Sequence, residues 1–386
     1  MSSSFIMPQE IVNGRGALES GQARQIFRRC GSRALVVTGP NLLRNGSCTP
    51  LENVLKSEKI SYAIYSEVSA EPDDKMVRAA LELYQRRKCD FLIALGGGSP
   101  IDLMKAVGAL VGHGGEISDY MGRRIDGNVP AMTAIPTTAG TGAEATQFSI
   151  ITDTQRQIKM LLSGRALMPR YAIIDPQFTK TMPPSVTAAT GLDALCHCVE
   201  AYTSRKAQPL SDTFALSAVK RIFQYLPICC SDGDDEEARA QMSTAALEAG
   251  IAFNNASVTL IHGMSRPIGA LFHVPHGMSN AMLMEECLVY ALPGAYERFA
   301  VLGREIGAAS ENDDKQTASE KFLFQVIRLR ERLQIPSLSG YGIDREKYFR
   351  HIDKMASDAM DSGSPSHTIR EVSKEKLTEI YRRVWK

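Results

Sequence analysis

The sequence carries almost no net charge and has no long hydrophobic run. Its 386 residues include 44 lysines and arginines and 43 aspartates and glutamates, a formal net charge of +1. Such a balance provides no field to attract a polyanion or an anionic membrane surface, so we expect no nucleic-acid partner and no membrane partner. Residues 1–12 also lack the basic start and hydrophobic stretch of a signal peptide. We therefore expect a cytoplasmic protein.

The cysteines lack the paired spacing of a metal site. There are eight of them, and in a large intracellular chain they are expected to be reduced core residues rather than disulfides. Cys196 and Cys198 flank His197, but adjacent positions on a helix point about 100° away from it. We therefore expect neither cysteine to bind a metal together with His197.

The first part of the sequence has the pattern of an α/β domain. With 44% hydrophobic residues, the chain is longer than one compact core usually serves, so two domains are expected. Up to about residue 180, runs rich in strand formers alternate with helical stretches, which predicts a Rossmann-like, mostly parallel sheet. These runs cover residues 33–38, 62–68, 91–95, 131–137 and 172–175.

Beyond residue 180 the periodicity becomes helical. Hydrophobic residues recur at helical spacing at Leu210, Phe214, Ala218, Ile222 and Leu226, and again at Phe322, Val326, Ile327 and Leu333. We predict an α/β domain over residues 1–180 and an all-α helical bundle over residues 181–386, with the boundary near Pro183 and Pro184. The acidic segments 231–237 and 309–315 are expected to be solvated loops.

One carboxylate and three histidines are concentrated in the helical part. The chain has only seven histidines, and four of them lie between residues 197 and 276. Asp193 and His197 are four residues apart, which places them on one helix face with Cβ atoms about 6 Å apart. His262 and His276 supply the further ligands for a divalent metal site, and Fe(II) and Zn(II) suit this set equally. An ordinary helix-face hydrogen bond between Asp193 and His197 is the alternative.

The segment FLIALGGGSPIDLMK at residues 91–105 predicts a strand, a tight turn and a helix start. Ser99 is expected to be the N-cap and Asp102 to complete a capping box. The three glycines, Gly96, Gly97 and Gly98, allow a ligand to contact the backbone at a helix N-terminus, which favours an anion such as a pyrophosphate. A bare turn is the alternative. A second loop, PTTAGTGAEAT at 136–146, has hydroxyls and small residues that could line a nucleotide.

Several motifs together resemble the iron-containing (group III) alcohol dehydrogenases, which have a dehydroquinate-synthase-like fold. The motifs are GGGSPIDLMKA, PTTAGTGAEAT, DALCHCVEAY and HGMSRPIGALFHVPHG, and the resemblance covers nearly the whole chain except its last thirty residues. It implies a metal-dependent, NAD- or NADP-linked enzyme that interconverts a small alcohol and an aldehyde, as a homodimer or a larger homo-oligomer. It favours iron over zinc.

The resemblance also implies roles for individual residues. It places the metal on Asp193, His197, His262 and His276, and the reaction in the cleft between a dinucleotide-binding domain and a metal-binding domain. It assigns cofactor contacts to Gly97, Gly98, Ser99, Asp102, Thr137, Thr138, Thr141 and Lys159. Phe148 and Phe253 are candidates for the apolar wall of the substrate pocket by similarity of placement, and both are alternatively core residues.

Gly39 departs from the commonest pattern of that family. Many NAD-linked members have an aspartate after the first strand, where its carboxylate binds the adenosine ribose and repels a 2′-phosphate. Gly39 exerts no such repulsion, so we predict that NADPH is accepted. The alternative is that Gly39 is only a turn residue.

Arg266 is the second departure, because members of the family often have a histidine there. An arginine cannot act as a neutral base near pH 7. Since it follows His262 by four residues, its charge is expected to face the substrate pocket and to favour an anionic group. The alternative is an outward arginine paired with a carboxylate or a cofactor phosphate. His273 then becomes the candidate for proton transfer.

Two other activities fit parts of the pattern. The first is a dehydroquinate-synthase-like lyase that uses a metal and NAD, but apart from Arg266 the metal motifs lack the basic residues that a phosphorylated sugar acid would need. The second is a metallohydrolase without a nicotinamide cofactor, which would leave the glycine loop unexplained.

Overall fold

The structure is a computed structural model that describes residues 3–69 and 71–385. The chain divides into two compact units: residues 6–181, here the α/β unit, and residues 182–386 together with the first five residues, here the helical unit. Within the described residues, no helix combines the length and the low polarity needed to cross a bilayer.

The α/β unit is built on a parallel sheet. Its strands and helices are β1 (Glu10–Asn13), α1 (Gly21–Cys30), β2 (Arg33–Thr38), α2 (Pro40–Arg44), α3 (Thr49–Ser57), β3 (Ser61–Tyr65), α4 (Asp74–Arg86), β4 (Phe91–Gly96), α5 (Gly98–His113), β5 (Met132–Pro136), β6 (Phe148–Asp153), β7 (Ile158–Ser163) and β8 (Tyr171–Ile174). The sheet has the order β1-β8-β5-β4-β2-β3 with parallel pairing throughout, and β6 and β7 form a separate antiparallel hairpin.

Both faces of this sheet are covered, which explains why its central strands are hydrophobic without alternation. All residues of β4 and β5 are buried. Leu92 and Ala94 pack into one hydrophobic cluster, whereas Phe91 and Ile93 pack into another. Successive side chains of a strand point to opposite faces, so each face receives its own core.

The helical unit consists of long helices joined by short connections. They are α6 (Pro184–Tyr202), α7 (Pro209–Ser231), α8 (Glu236–Ala256), α9 (Leu260–Phe272), α10 (His276–Ala291), α11 (Tyr296–Glu305), α12 (Lys315–Arg332), α13 (Arg345–Asp361) and α14 (Lys374–Val384). From Thr187 to Tyr202, α6 is buried at nearly every position. A helix that is buried all round lies inside the bundle, and this one carries Asp193 and His197.

The predicted fold class is confirmed, with differences in detail. The hairpin of β6 and β7 and the edge strand β1 were not predicted, because they are short and the hairpin turn lacks glycine. In α7, Ala218 and Ile222 are buried, but Leu210 is 55% exposed and does not join the core. In the acidic segments, Asp235 and Asp314 cap α8 and α12 by accepting backbone N–H groups.

The predicted N-cap of α5 is wrong. Gly97 is the N-cap, the helix begins at Gly98, and no side chain caps it. The carboxylate of Asp102 does not form a capping box but accepts a hydrogen bond from the N–H of Ile150, at 3.1 Å. The glycines allow the backbone to enter the helix earlier than the serine signal indicates, which leaves the first amides without a side-chain acceptor.

Candidate metal centre and cofactor loops

Three helices bring one carboxylate and three imidazoles together in the helical unit. Asp193 and His197 lie on α6, His262 lies in the first turn of α9, and His276 is the first residue of α10. Each offers one ligand atom, and these atoms lie within 4.8 Å of one another. Nε2 of His262 and of His276 are 3.6 and 3.7 Å from Oδ1 of Asp193. This spacing is what a common ion requires of its ligands.

Close approach of α10 to α6 depends on a glycine. A Cβ atom on Gly277 would lie 2.6 Å from the carbonyl oxygen of Ala189 and 3.3 Å from Cβ of Asp193. Real Cβ atoms do not approach backbone oxygen so closely, so only glycine lets His276 reach Asp193 at this helix crossing.

Glu200 orients His262 from the side opposite to Asp193. Its Oε2 accepts a hydrogen bond from Nδ1 of His262, while Oε1 accepts from Oγ1 of Thr259 at 2.9 Å and from the N–H of Ile261 at 2.6 Å. Nδ1 therefore carries the proton, and the lone pair of Nε2 is left to face the other ligands. A carboxylate behind a histidine is a common outer-shell arrangement in metal sites, because it fixes the tautomer and the ring orientation.

Asn280 supplies an independent test of whether these residues fit a metal. Its Nδ2 donates to Oδ1 of Asp193 at 2.7 Å and lies 3.1 and 3.2 Å from Nε2 of His262 and of His276. Its Oδ1 is buried and has no hydrogen-bond partner among the described residues. Lone pairs from three residues thus converge on one amide group that cannot serve all of them. This convergence, together with the nitrogen and carboxylate donors, fits a divalent ion such as Fe(II) or Zn(II).

The electrostatics keep the carboxylate ionised. Burial alone would raise the pKa of Asp193, but the surrounding histidines, His197 foremost, hold it well below its usual range. Burial alone would lower the pKa of His262, whereas the carboxylates of Glu200 and Asp193 raise it to about 9, so a metal ion bound at Nε2 displaces a proton near pH 7. Asp193 is therefore ready to bind a cation, the form in which carboxylates act as ligands.

The four residues of the cluster differ in their exposure. Asp193, His197 and His262 are at most 4% exposed, whereas the side chain of His276 is 41% exposed. The ring of Phe253 stacks on that of His197, with centroids 4.2 Å apart. His276 is therefore the member of the cluster that solvent or a small molecule reaches most directly.

Arg266 and His273 lie on the same segment as the ligands but outside the cluster. Nη1 of Arg266 donates to Oγ of Ser364 at 3.1 Å. His273 ends α9 in the left-handed conformation, with φ of 55°, and its side chain is exposed. Its ring makes no hydrogen bond, ion pair or ring contact in the part of the chain that the structure describes. Histidine is among the residues that tolerate this conformation, so the turn allows α10 to start three residues later.

In the α/β unit, two loops meet at the carboxyl edge of the sheet. Because β4 and β5 are parallel neighbours, the glycine loop and the loop at 137–142 emerge side by side. A Cβ atom on Gly97 would lie 3.3 Å from Cγ2 of Thr138, and one on Gly98 would lie 3.2 Å from Cγ2 of Thr141. Oγ1 of Thr138 is buried and has no hydrogen-bond partner among the described residues. An uncapped helix, a tight cradle and an orphaned hydroxyl fit the phosphate end of a dinucleotide.

The other predicted cofactor residues occupy varied positions. Gly96 ends β4, and its oxygen accepts the N–H of Thr137 at 3.0 Å. Ser99 is the second residue of α5. Lys159, on β7, forms an ion pair with Glu71 at 2.6 Å. Gly39 precedes α2 at the same sheet edge as the glycine loop, because β2 and β4 are parallel neighbours.

Phe148, a predicted pocket residue, begins β6 in the α/β unit. Its carbonyl oxygen accepts a hydrogen bond from Nζ of Lys105 at 2.7 Å.

A buried charged group behind the glycine loop was not predicted. Lys105 is fully buried, and its Nζ donates to Oγ1 of Thr146 at 3.0 Å as well as to the backbone of β6. Burial lowers the pKa of Lys105 to about 8 and raises that of Glu144 to about 7 and that of Asp102 to about 6. The lysine links α5 to Thr146 at the end of the second loop and to the start of β6, and so holds the two loops together.

Helical spacing could have identified two of the missed residues. Glu200 follows Asp193 by seven residues, and Asn280 follows His276 by four, so each continues a helix face already marked by a ligand. Lys105 continues the face of Ile101 in an apolar helix, and its pairing with Thr146 depends on tertiary structure alone.

The sequence matches two protein families that together cover most of the chain. Residues 8–176 match the family Iron-containing alcohol dehydrogenase, and residues 187–385 match the Fe-containing alcohol dehydrogenase family, C-terminal. The chain is therefore a member of the iron-containing alcohol dehydrogenase family.

Individual relatives agree with this assignment. The chain is 34% identical to the NAD-dependent methanol dehydrogenase of Bacillus methanolicus, over 88% of this chain and 89% of that protein. It is 32% identical to the NADPH-dependent butanol dehydrogenase of Clostridium saccharobutylicum, over 99% of this chain and 97% of that protein. The crystal structure of a 1,3-propanediol oxidoreductase superposes with a TM-score of 0.95 at 31% identity, with 100% of both chains covered.

The resemblance stated from the motifs is thus confirmed. The protein is a metal-containing, NAD(P)-dependent oxidoreductase of small alcohols and aldehydes. The lyase alternative is not favoured, because the relatives are dehydrogenases.

Proposed function

We propose that the helical unit holds a catalytic Fe(II), with Zn(II) as the alternative ion, on Asp193, His197, His262 and His276. The observation that carries this proposal is the convergence of their ligand atoms within 4.8 Å, with Glu200 fixing the tautomer of His262. We also propose residues 1–180 as the dinucleotide-binding domain and residues 181–386 as the metal-binding domain. The parallel sheet edge and the helical ligand cluster support this division.

The reaction is the reduction of an aldehyde by NAD(P)H and a proton to an alcohol and NAD(P)⁺, and its reverse. When bound, the dication polarises the substrate oxygen while the nicotinamide carries the hydride. The protein must orient the substrate and provide or accept one proton. Phe253, stacked on His197, excludes water from one side of the centre, and Phe148 is proposed as a second apolar contact. His273 is proposed to exchange the proton with solvent through its exposed ring.

Cofactor binding is assigned to the carboxyl edge of the α/β sheet. The uncapped amides at the start of α5, with Gly96, Gly97, Gly98 and Ser99, are proposed to bind the pyrophosphate. Thr137, Thr138 and Thr141 line the second loop and offer hydroxyls to the cofactor, and Asp102 and Lys159 are proposed to contact its nicotinamide half. The orphaned hydroxyl of Thr138 supports this assignment.

Activity measurements on metal-loaded protein test this function. Protein reconstituted anaerobically with Fe(II) or with Zn(II) is expected to oxidise NADH or NADPH in the presence of short aldehydes, and chelated protein is expected to lose this activity. The absorbance of the reduced nicotinamide reports the rate. Metal-bound, folded protein that turns over no aldehyde with either cofactor would refute the proposal.

Gly39 leads to a prediction about the cofactor. NADPH is expected to give at least about one hundredth of the NADH-supported kcat/KM, because no carboxylate repels the 2′-phosphate. Gly39→Asp is expected to lower kcat/KM for NADPH by about 10- to 100-fold relative to NADH. A Cβ atom at this position would lie 3.0 Å from the carbonyl oxygen of Val68, so Gly39→Ala is the control that separates crowding from charge. If Gly39→Asp and Gly39→Ala lower kcat/KM for NADPH relative to NADH by the same factor, the charge has no role.

Assembly and location are proposed from general features. We propose a homodimer or larger homo-oligomer, which light scattering of the purified protein would check against a monomer of 42.2 kDa. We propose the cytoplasm as its location, and the free state of all eight cysteines, each within the described residues, supports a reducing compartment.

A further inference from the structure

Arg266 is a partly buried cation without a carboxylate partner in residues 3–69 and 71–385. Its guanidinium makes one hydrogen bond to the protein, from Nη1 to Oγ of Ser364, and no carboxylate lies within 4 Å of it. Burial lowers the pKa of Arg266, and the charge of Glu200 only partly opposes this effect. Glu200 is itself engaged by His262. A guanidinium has five N–H donors, and the protein accepts a hydrogen bond from only one nitrogen. The remaining donors, and the positive charge that no carboxylate balances, are therefore available to another molecule.

The position of Arg266 is tied to the metal centre. It follows His262 by four residues in α9, which places the Cβ atoms of the two residues on one helix face about 6 Å apart. A cation and a metal ligand on one helix face can contact two ends of one small molecule.

The surroundings of Arg266 hold its side chain in place. Ser364 is only 6% exposed and begins a short 3-10 turn at Ser364–His367. This turn packs closely against α9. A Cβ atom on Gly263 would lie only 2.6 Å from Cγ of Pro365, so only glycine allows this approach. The hydroxyl that orients the guanidinium is therefore on a rigid segment.

We infer that Arg266, oriented by Ser364, binds an anionic group of the substrate, which is a carboxylate, sulfonate or phosphonate at the end of a short aldehyde or alcohol. The planar fork of the guanidinium matches such oxyanions with two parallel hydrogen bonds. This inference rests on the proposed function, because the reacting oxygen is taken to lie at the metal centre.

Paired substrates test the inference in the metal-loaded enzyme. The pairs are propanal with 3-oxopropanoate and butanal with 4-oxobutanoate, which differ in the terminal charge. The wild-type enzyme is expected to prefer the anionic member of each pair. Arg266→Gln is expected to lower kcat/KM for the anionic aldehydes about 10- to 100-fold, mainly through KM, and to change that for the neutral ones by less than about threefold.

Matched variants separate recognition from a structural effect. Arg266→Lys keeps the charge but loses the fork, and Ser364→Ala keeps the arginine but loses its orienting hydroxyl, so both are expected to show intermediate KM values for the anions. Arg332→Gln removes an exposed arginine at the end of α12 and is the control for net charge. Isothermal calorimetry with butanoate is expected to detect binding to the wild-type holoenzyme and not to Arg266→Gln.

The outcomes distinguish this inference from the function on which it rests. Turnover of neutral and anionic aldehydes with no preference, and no change of preference in Arg266→Gln, would overturn the role of Arg266 alone. A raised KM for NADPH in place of a raised KM for the anion would assign the guanidinium to the cofactor phosphate and would also overturn it. If no aldehyde is turned over, the proposed function fails, and absence of butanoate binding then overturns the inference separately.

Discussion

Replacing His262 with alanine is expected to remove the metal and to lower kcat/KM by about a thousandfold or more. A metal acting as a Lewis acid contributes several kcal/mol to transition-state stabilisation, and about 1.4 kcal/mol corresponds to a factor of ten. His262 is the ligand with the most extensive support, because Nδ1 is bound by Glu200 and Nε2 faces Asp193. The loss of the His262 ring also leaves the buried carboxylate of Glu200 without the Nδ1–H group that donates to it.

Metal content and activity should be measured on the same preparations. Elemental analysis after reconstitution with Fe(II) is expected to find nearly one ion per wild-type chain and little in His262→Ala. His351→Ala is the matched control, since His351 lies half-buried on α13, away from the cluster, and its ring hydrogen-bonds only the carbonyl of Lys347 among the described residues. His273→Ala is expected to keep its metal while the pH dependence of kcat changes. Full metal content in His262→Ala would contradict the ligand assignment.

Glu200→Gln is expected to weaken metal binding by about 10- to 100-fold, the usual effect of losing an outer-shell partner of a ligand. Glutamine keeps the size of the side chain, but one carboxylate oxygen becomes an N–H₂ donor that faces the Nδ1 proton of His262. The ring must rotate or change tautomer, so Nε2 no longer presents its lone pair to the ion. Glu200 is 2% exposed, which prevents water from replacing the lost acceptor.

Competition with a chelator gives the metal dissociation constant of each variant, and thermal unfolding of the metal-free proteins shows whether the fold is intact. Glu248→Gln is the control. Its carboxylate is also largely buried but accepts from Ser217 and Arg221 and from none of the ligands. The same metal affinity in Glu200→Gln and in the wild type would show that Glu200 supports only the start of α9.

The clustering of the four candidate metal ligands was predictable because helical spacing is a local property. Asp193 and His197 share a helix face wherever that helix lies, and the concentration of histidines between 197 and 276 pointed to their partners. Helical spacing also places Glu200, two turns after Asp193, on the face of Asp193, and it places Asn280, one turn after His276, on the face of His276. Glu200 and Asn280 were missed because glutamate and asparagine are common on helix faces, and the sequence alone does not show that their side chains contact the candidate ligands.

The two loops at the carboxyl edge of the sheet, which are the candidate cofactor loops, were predictable only in part. The strand, glycine turn and helix at residues 91–113 follow from composition, yet the helix begins at Gly98 and not after Ser99. The capping signal was misleading because the residues before it are glycines, which enter a helix without a side-chain cap. That Thr138 and Thr141 lie against Gly97 and Gly98 depends on the parallel pairing of β4 with β5, which joins residues far apart in the sequence.

Arg266 shows most clearly the difference between what the local sequence determines and what only tertiary contacts determine. Its place four residues after His262 is written in the sequence and already indicated a charge near the metal. Whether that charge was neutralised by a carboxylate depended on which segments pack against α9, and the structure places the hydroxyl of Ser364 there. The sequence by itself determined periodicity, ligand spacing and the order of motifs, because these are set by residues within a few turns of one another. Only the tertiary structure decided the outer partners, the meeting of the loops and the unmatched charge, because each depends on contacts between segments whose approach local patterns do not encode.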